Sequence, residues 1–331
     1  MNIRKFICMA AIIAAALSCD KDETTEALPS LEGSLEVLGL QEFIHPKQTL
    51  TMTVKEGVVH PEGKDVNYCW RVAPSMSSYD TTLTTASYTH TFSDTLQTYT
   101  VYCIAYADGY NSMNTVNYVT TVKGGKNGSI KGISFSDQTV NVGDTTYYYT
   151  EIGEQTWTMN NIMTQTAGMA FANEDIMSDV FGRFYTYDEA VKVCESLPND
   201  GSYEWKLPTK ADWEALESHV KAQKESDAAK YGKSAAAALM ANATFNSDDL
   251  WEYWPAVGDI TNSSGFSAIP AGYVTFPTET FKGVNEYAVF WTADEEGDMA
   301  YCKYLIYNQP DVYTYLGDKV SFGANVRCIK K

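Results

Sequence analysis

The stretch Trp205-Lys206-Leu207-Pro208-Thr209-Lys210-Ala211-Asp212-Trp213-Glu214 contains the clearest helix start in the chain. Thr209 is a preferred N-cap residue, and the carboxylate of Asp212 falls in the first turn, where it favours the positive end of the helix dipole. The pattern predicts a helix through Trp213 and Leu216. The Ala- and Lys-rich composition of Glu217–Met240 predicts that helical structure continues well beyond it.

Segments with strand character lie on the C-terminal side of this helical region. An earlier helix is predicted over Tyr187–Leu197. Helices and strands that occur in separate runs predict an α+β domain, which we assign to residues 131–331. The predicted strands are Phe266–Thr275, Ala288–Thr292, Tyr301–Tyr307 and Val320–Ile329.

A linker separates this domain from an earlier one. Lys123–Ser129 has three Gly in seven residues, and we place the linker at residues 124–130. Residues 31–123 contain several short alternating runs, which predict an all-β sandwich. The Trp70 strand and the later Tyr-Thr-Val run resemble a PKD-like or immunoglobulin-like module. The clearest runs are Thr49–Val54, Val66–Val72 and Tyr99–Ala105.

The cysteines of the predicted sandwich do not support an immunoglobulin-style bridge. Cys69 alternates with Trp70 and therefore lies on the opposite face of its strand. A bond from Cys69 through the core to Cys103 is not expected, and free or edge-paired thiols remain the alternatives.

The first eighteen residues have the layout of an export signal. A basic start is followed by the apolar run Phe6–Leu17, which is too short to span a bilayer, and by small residues before Cys19. This layout resembles a bacterial lipoprotein signal, and Asp20–Glu23 resembles the surface-export signal of Bacteroidetes lipoproteins. The resemblance implies a signal peptide at 1–18, lipid on Cys19, a tether over 19–30 and the outer membrane as partner. An ordinary signal peptide is the alternative.

The net charge of the 331-residue chain is −18, from 24 basic and 42 acidic residues. Such a chain repels phosphate backbones, so no nucleic-acid partner is expected. The length fits two domains. We interpret the 23 tyrosines as scaffold of the two domains rather than as a sign of a site.

Six blocks in the second half resemble the Fibrobacter succinogenes major paralogous domain. They occur in the family's order and cover about 200 residues. Lys206 and the Thr292-Ala293 pair depart from the residues that are usual in the family. The blocks are Ile152–Trp157 with Asn160–Ile162, Gly182–Tyr187, Trp205–Thr209 with Asp212–Glu214, Gly265–Tyr273, Phe290–Ala293 and Val326–Cys328.

The resemblance implies a C-type-lectin-like fold, related to that of the formylglycine-generating enzyme. Such folds commonly bridge the first helix to the final strand, which implies a disulfide between Cys194 and Cys328. Cys302 is then expected to be a buried small hydrophobe. Most residues of the six blocks are expected to form core.

Local motifs of catalysis are missing from the sequence. It has no His-Glu-x-x-His, Cys-x-x-Cys, P-loop or Gly-x-Ser-x-Gly motif, and no pair of its four histidines has metal spacing. We therefore predict a protein that is not an enzyme and that needs no cofactor. An enzyme on the formylglycine-generating scaffold is the remote alternative.

Two segments are candidate binding sites. Trp251, Tyr253 and Trp254 concentrate aromatic rings that can stack on sugars, and the alternative is packing beneath a loop. Asp294, Glu295, Glu296 and Asp298 form an acidic turn with the oxygen ligands that calcium prefers. The alternative there is a solvated hairpin tip.

These observations predict a cell-surface lipoprotein. Its lectin-like head would bind a glycan or a protein ligand for adhesion or capture, with the β-sandwich as a spacer. The alternative is an envelope structural or assembly protein that does not bind glycan.

Overall fold

The computed structural model describes residues 27–74, 85–126, 128–164, 166–199 and 201–331. The chain divides into two compact units between Lys123 and Gly124, and both consist mostly of β-sheet. The predicted signal peptide and Cys19 lie outside the described residues. Within the described ranges, no helix has the length and apolar character needed to cross a bilayer.

The N-terminal unit has two main sheets. One is antiparallel with the order β2-β4-β7, the second has the order β3-β9-β8-β6 with β3 parallel to β9, and β1 pairs with β5. Its described strands are β1 (Glu32–Gly33), β2 (Val37–Leu38), β3 (Phe43–Ile44), β4 (Thr49–Val54), β5 (Val58–Val59), β6 (Asn67–Ala73), β7 (Ser87–Thr91), β8 (Thr98–Tyr106) and β9 (Met113–Thr121).

The two main sheets share one buried core. Along β4 the side chains alternate between exposed Thr and buried Leu50, Met52 and Val54, because successive residues of a strand face opposite sides. These three pack with Trp70 and Cys103 from the other sheet. The predicted alternation of this strand is therefore confirmed.

Trp70 and Cys103 are direct partners across β6 and β8, whereas Cys69 pairs with Ile104. Since paired residues share a face of the sheet, Cys69 and Cys103 lie on opposite faces. Both thiols are free and buried. Burial, with a smaller contribution from Cys69, raises the pKa of Cys103 to about 12.

The C-terminal unit combines short helices with several small sheets. Two short 3₁₀ turns, Phe171–Asn173 and Asp175–Met177, precede its first helix. Its described helices are α1 (Ser178–Phe181), α2 (Tyr187–Glu195), α3 (Lys210–Ser226), α4 (Ala228–Tyr231) and α5 (Ala235–Leu239). Its described strands are β10 (Ile130–Lys131), β11 (Thr139–Val142), β12 (Thr145–Ile152), β13 (Gln155–Thr158), β14 (Met169–Ala170), β15 (Arg183–Phe184), β16 (Trp205–Lys206), β17 (Thr244–Phe245), β18 (Asp248–Asp249), β19 (Tyr273–Thr275), β20 (Thr280–Lys282), β21 (Tyr287–Glu296), β22 (Met299–Ile306), β23 (Tyr313–Asp318), β24 (Phe322–Gly323) and β25 (Ile329–Lys330).

Helix α3 begins where the sequence predicts. The Asp212 amide donates to the Thr209 hydroxyl at 3.2 Å, and the Thr209 amide donates back to the Asp212 carboxylate at 2.8 Å. This reciprocal pair satisfies two backbone N–H groups that have no intrahelical partner at the helix start. The helical region that follows is broken into α3, α4 and α5, because Asp227 caps α4 and Gly232 adopts a left-handed φ of 75°.

Two predicted strands are much shorter than expected. Of Phe266–Thr275 only Tyr273–Thr275 is strand, since the preceding segment turns at Ser267 with a φ of 58°. Of Val320–Ile329, only Phe322–Gly323 and the residues from Ile329 onward pair in sheets. The apolar composition of both segments indicates burial, but most of their backbone does not pair with a neighbouring strand.

The last strand closes the largest sheet of this unit. Strand β25 lies between β13 and β16 in the order β11-β12-β13-β25-β16. Just before it, Cys328 forms a disulfide with Cys194 of α2, with 5.5 Å between their Cα atoms. This is the pair that the family resemblance implied. It joins the first long helix to the closing strand.

Arg327 is the polar centre of this core. Its side chain is fully buried, and its guanidinium donates to the Asn161 side chain and to the backbone oxygens of Thr158, Phe266 and Ser267 at 2.7–2.9 Å. Burial lowers the pKa of Arg327 to about 9. The guanidinium also lies 4.9 Å from the ring centre of Phe266, a cation–π distance. We call Arg327, Asn161, Phe266, Ser267 and Phe290 the arginine core.

Candidate functional site: a tyrosine-lined cleft

Two small sheets of the C-terminal unit supply the walls of a cleft. In the sheet β20-β19-β24, Tyr273 pairs with Lys282, and Thr275 pairs with Phe322. Paired residues, and residues two apart on one strand, project from the same face. These four side chains therefore belong to one face of the sheet.

The sheet β21-β22-β23 supplies the opposite set of side chains. Tyr287 and Val289 are two apart on β21, and Val289 pairs with Tyr304 on β22. Tyr315 on β23 lies opposite Cys302, two residues from Tyr304. The period of two along each strand thus brings three tyrosines to one face.

The side chains from both sheets enclose a cleft of about 340 Å³, which we call the tyrosine cleft. This volume lies within the range of small-molecule pockets in proteins. Val289 and Phe322 are buried and form apolar lining, while Tyr315 is 49% exposed. The residues that line the cleft are Tyr273, Thr275, Lys282, Tyr287, Val289, Tyr304, Tyr315 and Phe322.

The rings of the cleft support one another. Tyr273 stacks on Phe322 with 5.2 Å between ring centres, and Tyr315 lies 5.4 Å from the same ring. Tyr287 is 6.2 Å from Tyr304 and 6.3 Å from Tyr273. These spacings fall within the 4.5–7 Å range of favourable aromatic pairs, so the rings hold each other in place.

A glycine next to the cleft allows Tyr287 to occupy its place. Gly283 has a φ of 69°, and a Cβ atom there would lie 2.5 Å from the ring of Tyr287. Any other residue would push the tyrosine away and strain the backbone. Gly283 is therefore needed for the shape of the cleft.

The hydroxyl groups of the cleft are available to a ligand. Within the described part of the chain, Tyr273, Tyr287, Tyr304 and Tyr315 make no hydrogen bond through their hydroxyls. Burial, and to a smaller extent the neighbouring Glu286, raises the pKa of Tyr287. Its hydroxyl stays protonated at neutral pH and can donate as well as accept a hydrogen bond.

This arrangement suits a ligand with alternating apolar and polar faces. The tyrosine rings offer flat apolar surface, and their tips offer hydrogen bonds. A sugar ring has the complementary character, with C–H groups on one face and hydroxyls at its edge. Open rings and hydroxyl groups of this kind suit the binding of such a ligand.

The predicted aromatic site divides into two parts. Trp251 is 4% exposed, and its indole donates to the Ala268 backbone oxygen at 3.0 Å, so this residue packs in the core and the prediction that it contacts ligand is wrong. Tyr253 and Trp254 are 63% and 41% exposed, and neither lines the tyrosine cleft. They remain a second exposed aromatic pair.

Three of the four acids of the predicted calcium turn have protein partners. Asp294 accepts from the Lys210 amide at 2.6 Å, Glu295 pairs with Lys319 at 2.5 Å, and Glu296 accepts from the Tyr301 hydroxyl. Asp298 is exposed at the turn. Among the described residues, no three acids, histidines or cysteines are placed to hold a metal ion.

A second cavity, of about 320 Å³, borders the arginine core. Its wall includes Arg327, but four of that guanidinium's five N–H groups already bind protein oxygens. Lys126, Asp144 and Asp179 contribute charges of both signs. The lining of this cavity is mainly polar and includes two aromatic rings, those of Phe135 and Tyr148, whereas five rings line the tyrosine cleft. We therefore take the tyrosine cleft as the candidate site.

Sequence reasoning missed the tyrosine cleft. We interpreted the tyrosines as scaffold, and the structure corrects this for Tyr273, Tyr287, Tyr304 and Tyr315, whose rings are part scaffold and part open lining. The available signal was tyrosine on the predicted strands Phe266–Thr275 and Tyr301–Tyr307 and directly before Ala288–Thr292. The sequence does not show which strand faces meet, so that signal could not select these four.

The C-terminal unit matches a known family of domains. A family model described as the Fibrobacter succinogenes major domain matches residues 150–330, more than half of the chain. The protein belongs to this family.

One solved structure shows a weak likeness to this chain. The adhesin InvE of Yersinia pseudotuberculosis aligns over 91% of this chain and 70% of its own, with 11% identity and a TM-score of 0.23. A likeness this weak carries no argument about fold or function. No curated protein matches the sequence significantly.

Proposed function

We propose that this protein is a surface lipoprotein of the outer membrane whose C-terminal domain binds glycan in the tyrosine cleft without catalysing a reaction. One observation carries the proposal. Four tyrosines with unpaired hydroxyls, counted within the described residues, surround an apolar-lined cleft of about 340 Å³. Rings and hydroxyls together match the two faces of a sugar.

The proposal includes the fold of both units. The C-terminal unit is a C-type-lectin-like domain, an assignment supported by the family match over residues 150–330. The N-terminal unit is a PKD-like or immunoglobulin-like module, which is supported by two sheets around the core of Trp70.

The cysteines support a non-catalytic role. The formylglycine-generating enzymes, which the family resembles in fold, use a pair of cysteines. Here Cys328 is bonded to Cys194, and burial raises the pKa of Cys302 well above its ordinary value. A thiol kept protonated is a poor nucleophile.

Glycan binding is tested by titrating the purified protein with neutral and acidic oligosaccharides by calorimetry. Tyr315→Ala removes an exposed ring of the cleft and is expected to lower the affinity about two- to tenfold, the contribution of one aromatic contact. Tyr253→Ala, which removes an exposed ring outside the cleft, is the matched control and should leave affinity unchanged.

The opposite pattern, with loss only in Tyr253→Ala, would move the binding site to the second aromatic pair. No binding of any oligosaccharide would support the alternative of an envelope structural protein. Copurification of one envelope protein with the intact chain would strengthen that alternative.

Lipid attachment is tested separately in cells fed a clickable palmitate. The full chain should be labelled and Cys19→Ala should not. Protease treatment of intact cells should then degrade the labelled protein if it lies on the outer face of the outer membrane.

A further inference from the structure

Lys282 is the one cation among the described residues that line the tyrosine cleft. Lys282 shares a sheet face with its register partner Tyr273, and its side chain is exposed. No Asp or Glu is among the described residues that line the cleft. Within the same described part of the chain, the Lys282 ammonium forms no ion pair and no hydrogen bond.

This unpaired cation contrasts with other lysines of a chain whose net charge is −18. Lys303 pairs with Glu217 at 2.8 Å, and Lys319 pairs with Glu295 at 2.5 Å. Charges beyond about 8–10 Å are screened at physiological ionic strength, so a ligand in the cleft responds to Lys282 more than to the distant acids. Glu286 neighbours Tyr287 but does not line the cleft, so the charge of the lining itself comes from Lys282 and is opposite in sign to that of the whole protein.

Three classes of ligand can be compared with this lining. An aromatic cage can bind an organic cation, but here Lys282 would repel it. A neutral sugar would occupy the rings and leave the ammonium without a partner. A sugar with a carboxylate can stack on the tyrosines and also pair with Lys282.

Building on the proposed glycan-binding function, we propose that the tyrosine cleft selects acidic saccharides and that Lys282 is its specificity-determining residue. The ligand is a saccharide that contains uronic acid. Its ring stacks on the tyrosines, and its carboxylate lies beside the ammonium of Lys282.

The test compares two probes, one charged and one neutral, that differ only by a methyl group on each carboxyl. Oligogalacturonate and its fully methyl-esterified form are titrated into the intact protein at low and at high salt. The acid form should bind about two- to fivefold more tightly at low salt, the gain of one exposed ion pair. The difference should shrink at high salt, because salt screens an exposed pair.

Lys282→Met should remove this preference and leave the affinity for the ester nearly unchanged. Lys131→Met, at an exposed lysine outside the cleft, is the matched control and should keep the preference. Melting temperatures of both variants show that they are folded.

The outcomes separate the two proposals. Equal affinity for acid and ester, with loss in Tyr315→Ala, would overturn the selectivity of Lys282 and retain glycan binding in the cleft. Tighter binding of the ester would also overturn it. Failure of both probes together with the whole oligosaccharide panel would overturn both proposals.

Discussion

The arginine core and the tyrosine cleft are two aromatic regions of the same unit with opposite character. In the arginine core, Phe266 and Phe290 are fully buried, and the Arg327 guanidinium donates four hydrogen bonds. In the cleft the rings are partly open, and the tyrosine hydroxyls find no partner among the described residues. Aromatic content alone therefore does not identify a site. Solvent access combined with unpaired polar groups does.

This contrast has a direct consequence for substitutions. Changes in the arginine core should lower the free energy of unfolding, because they leave buried polar groups without partners. Removal of a tyrosine hydroxyl in the cleft should alter ligand affinity more than stability, because these hydroxyls have no hydrogen-bond partner among the described residues.

The largest effect is expected from Arg327→Leu. It leaves the Asn161 side chain and three backbone oxygens without their donor in a buried place, which should lower the free energy of unfolding by about 4 kcal/mol. Urea unfolding of the purified protein measures this. If the free energy of unfolding fell by less than about 1 kcal/mol, substitutions in the arginine core would not be more destabilising than those in the cleft, and the contrast would be wrong.

The disulfide next to Arg327 is expected to contribute slightly less. Cys194 and Cys328 are separated by 134 residues, and their bond restricts the unfolded chain. Replacement of both cysteines by Ala should lower the free energy of unfolding, measured in urea, by about 3 kcal/mol. Cys302→Ala, at a buried free thiol, is the control and should cost less. Equal losses would show that cavity formation and not the bond dominates.

Asp212 links the stability of the C-terminal unit to pH. Burial by itself would raise the pKa of Asp212, but hydrogen bonds from Lys331 and from the Thr209 amide and hydroxyl outweigh it, so the pKa is lowered. A lowered pKa stabilises the fold above the ordinary value of about 4, and the contribution is lost as pH falls through the folded-state pKa.

Asp212→Asn should therefore lower the free energy of unfolding by about 1 kcal/mol at neutral pH. Below about pH 4 the variant should lose less stability with falling pH than the parent does. Unfolding curves between neutral and acidic pH measure both effects. Parallel pH profiles for the variant and the parent would contradict this role. Glycan binding in the cleft should not depend on Asp212, which does not line it.

The smallest change in stability is expected from Tyr304→Phe, which removes one cleft hydroxyl. Since that hydroxyl bonds to no described residue, the free energy of unfolding should change by less than about 0.5 kcal/mol. Affinity for saccharide should fall about two- to fivefold if the hydroxyl contacts ligand. A clear loss of stability with unchanged affinity would instead assign Tyr304 to the scaffold.

Several features depended on local physics and could be predicted. Thr209 and Asp212 cap α3 because both lie within one turn of the same backbone. The alternation along Thr49–Val54 follows from the period of a strand. In each case the interacting groups are close in sequence, so the local residue pattern is enough to predict the structure they form.

The candidate sites could not be predicted in the same way. Trp251 and Trp254 are three residues apart and identical in type, yet only Trp254 is exposed, because Trp251 finds the Ala268 oxygen in the core. In the acidic turn, Asp294 and Glu295 have partners in the distant Lys210 and Lys319, which the local sequence does not indicate. Composition does not reveal such partners.

The sequence by itself determined the family, the helix start at Thr209 and the strand alternation of the first domain. The tertiary structure decided which tyrosines line a cleft and which aromatic residues are core. The physical reason is that a site of this kind depends on the register between strands. The residues of the tyrosine cleft come from positions 273 to 322. Only the pairing of strands β19 through β24 into two sheets brings their side chains to facing surfaces.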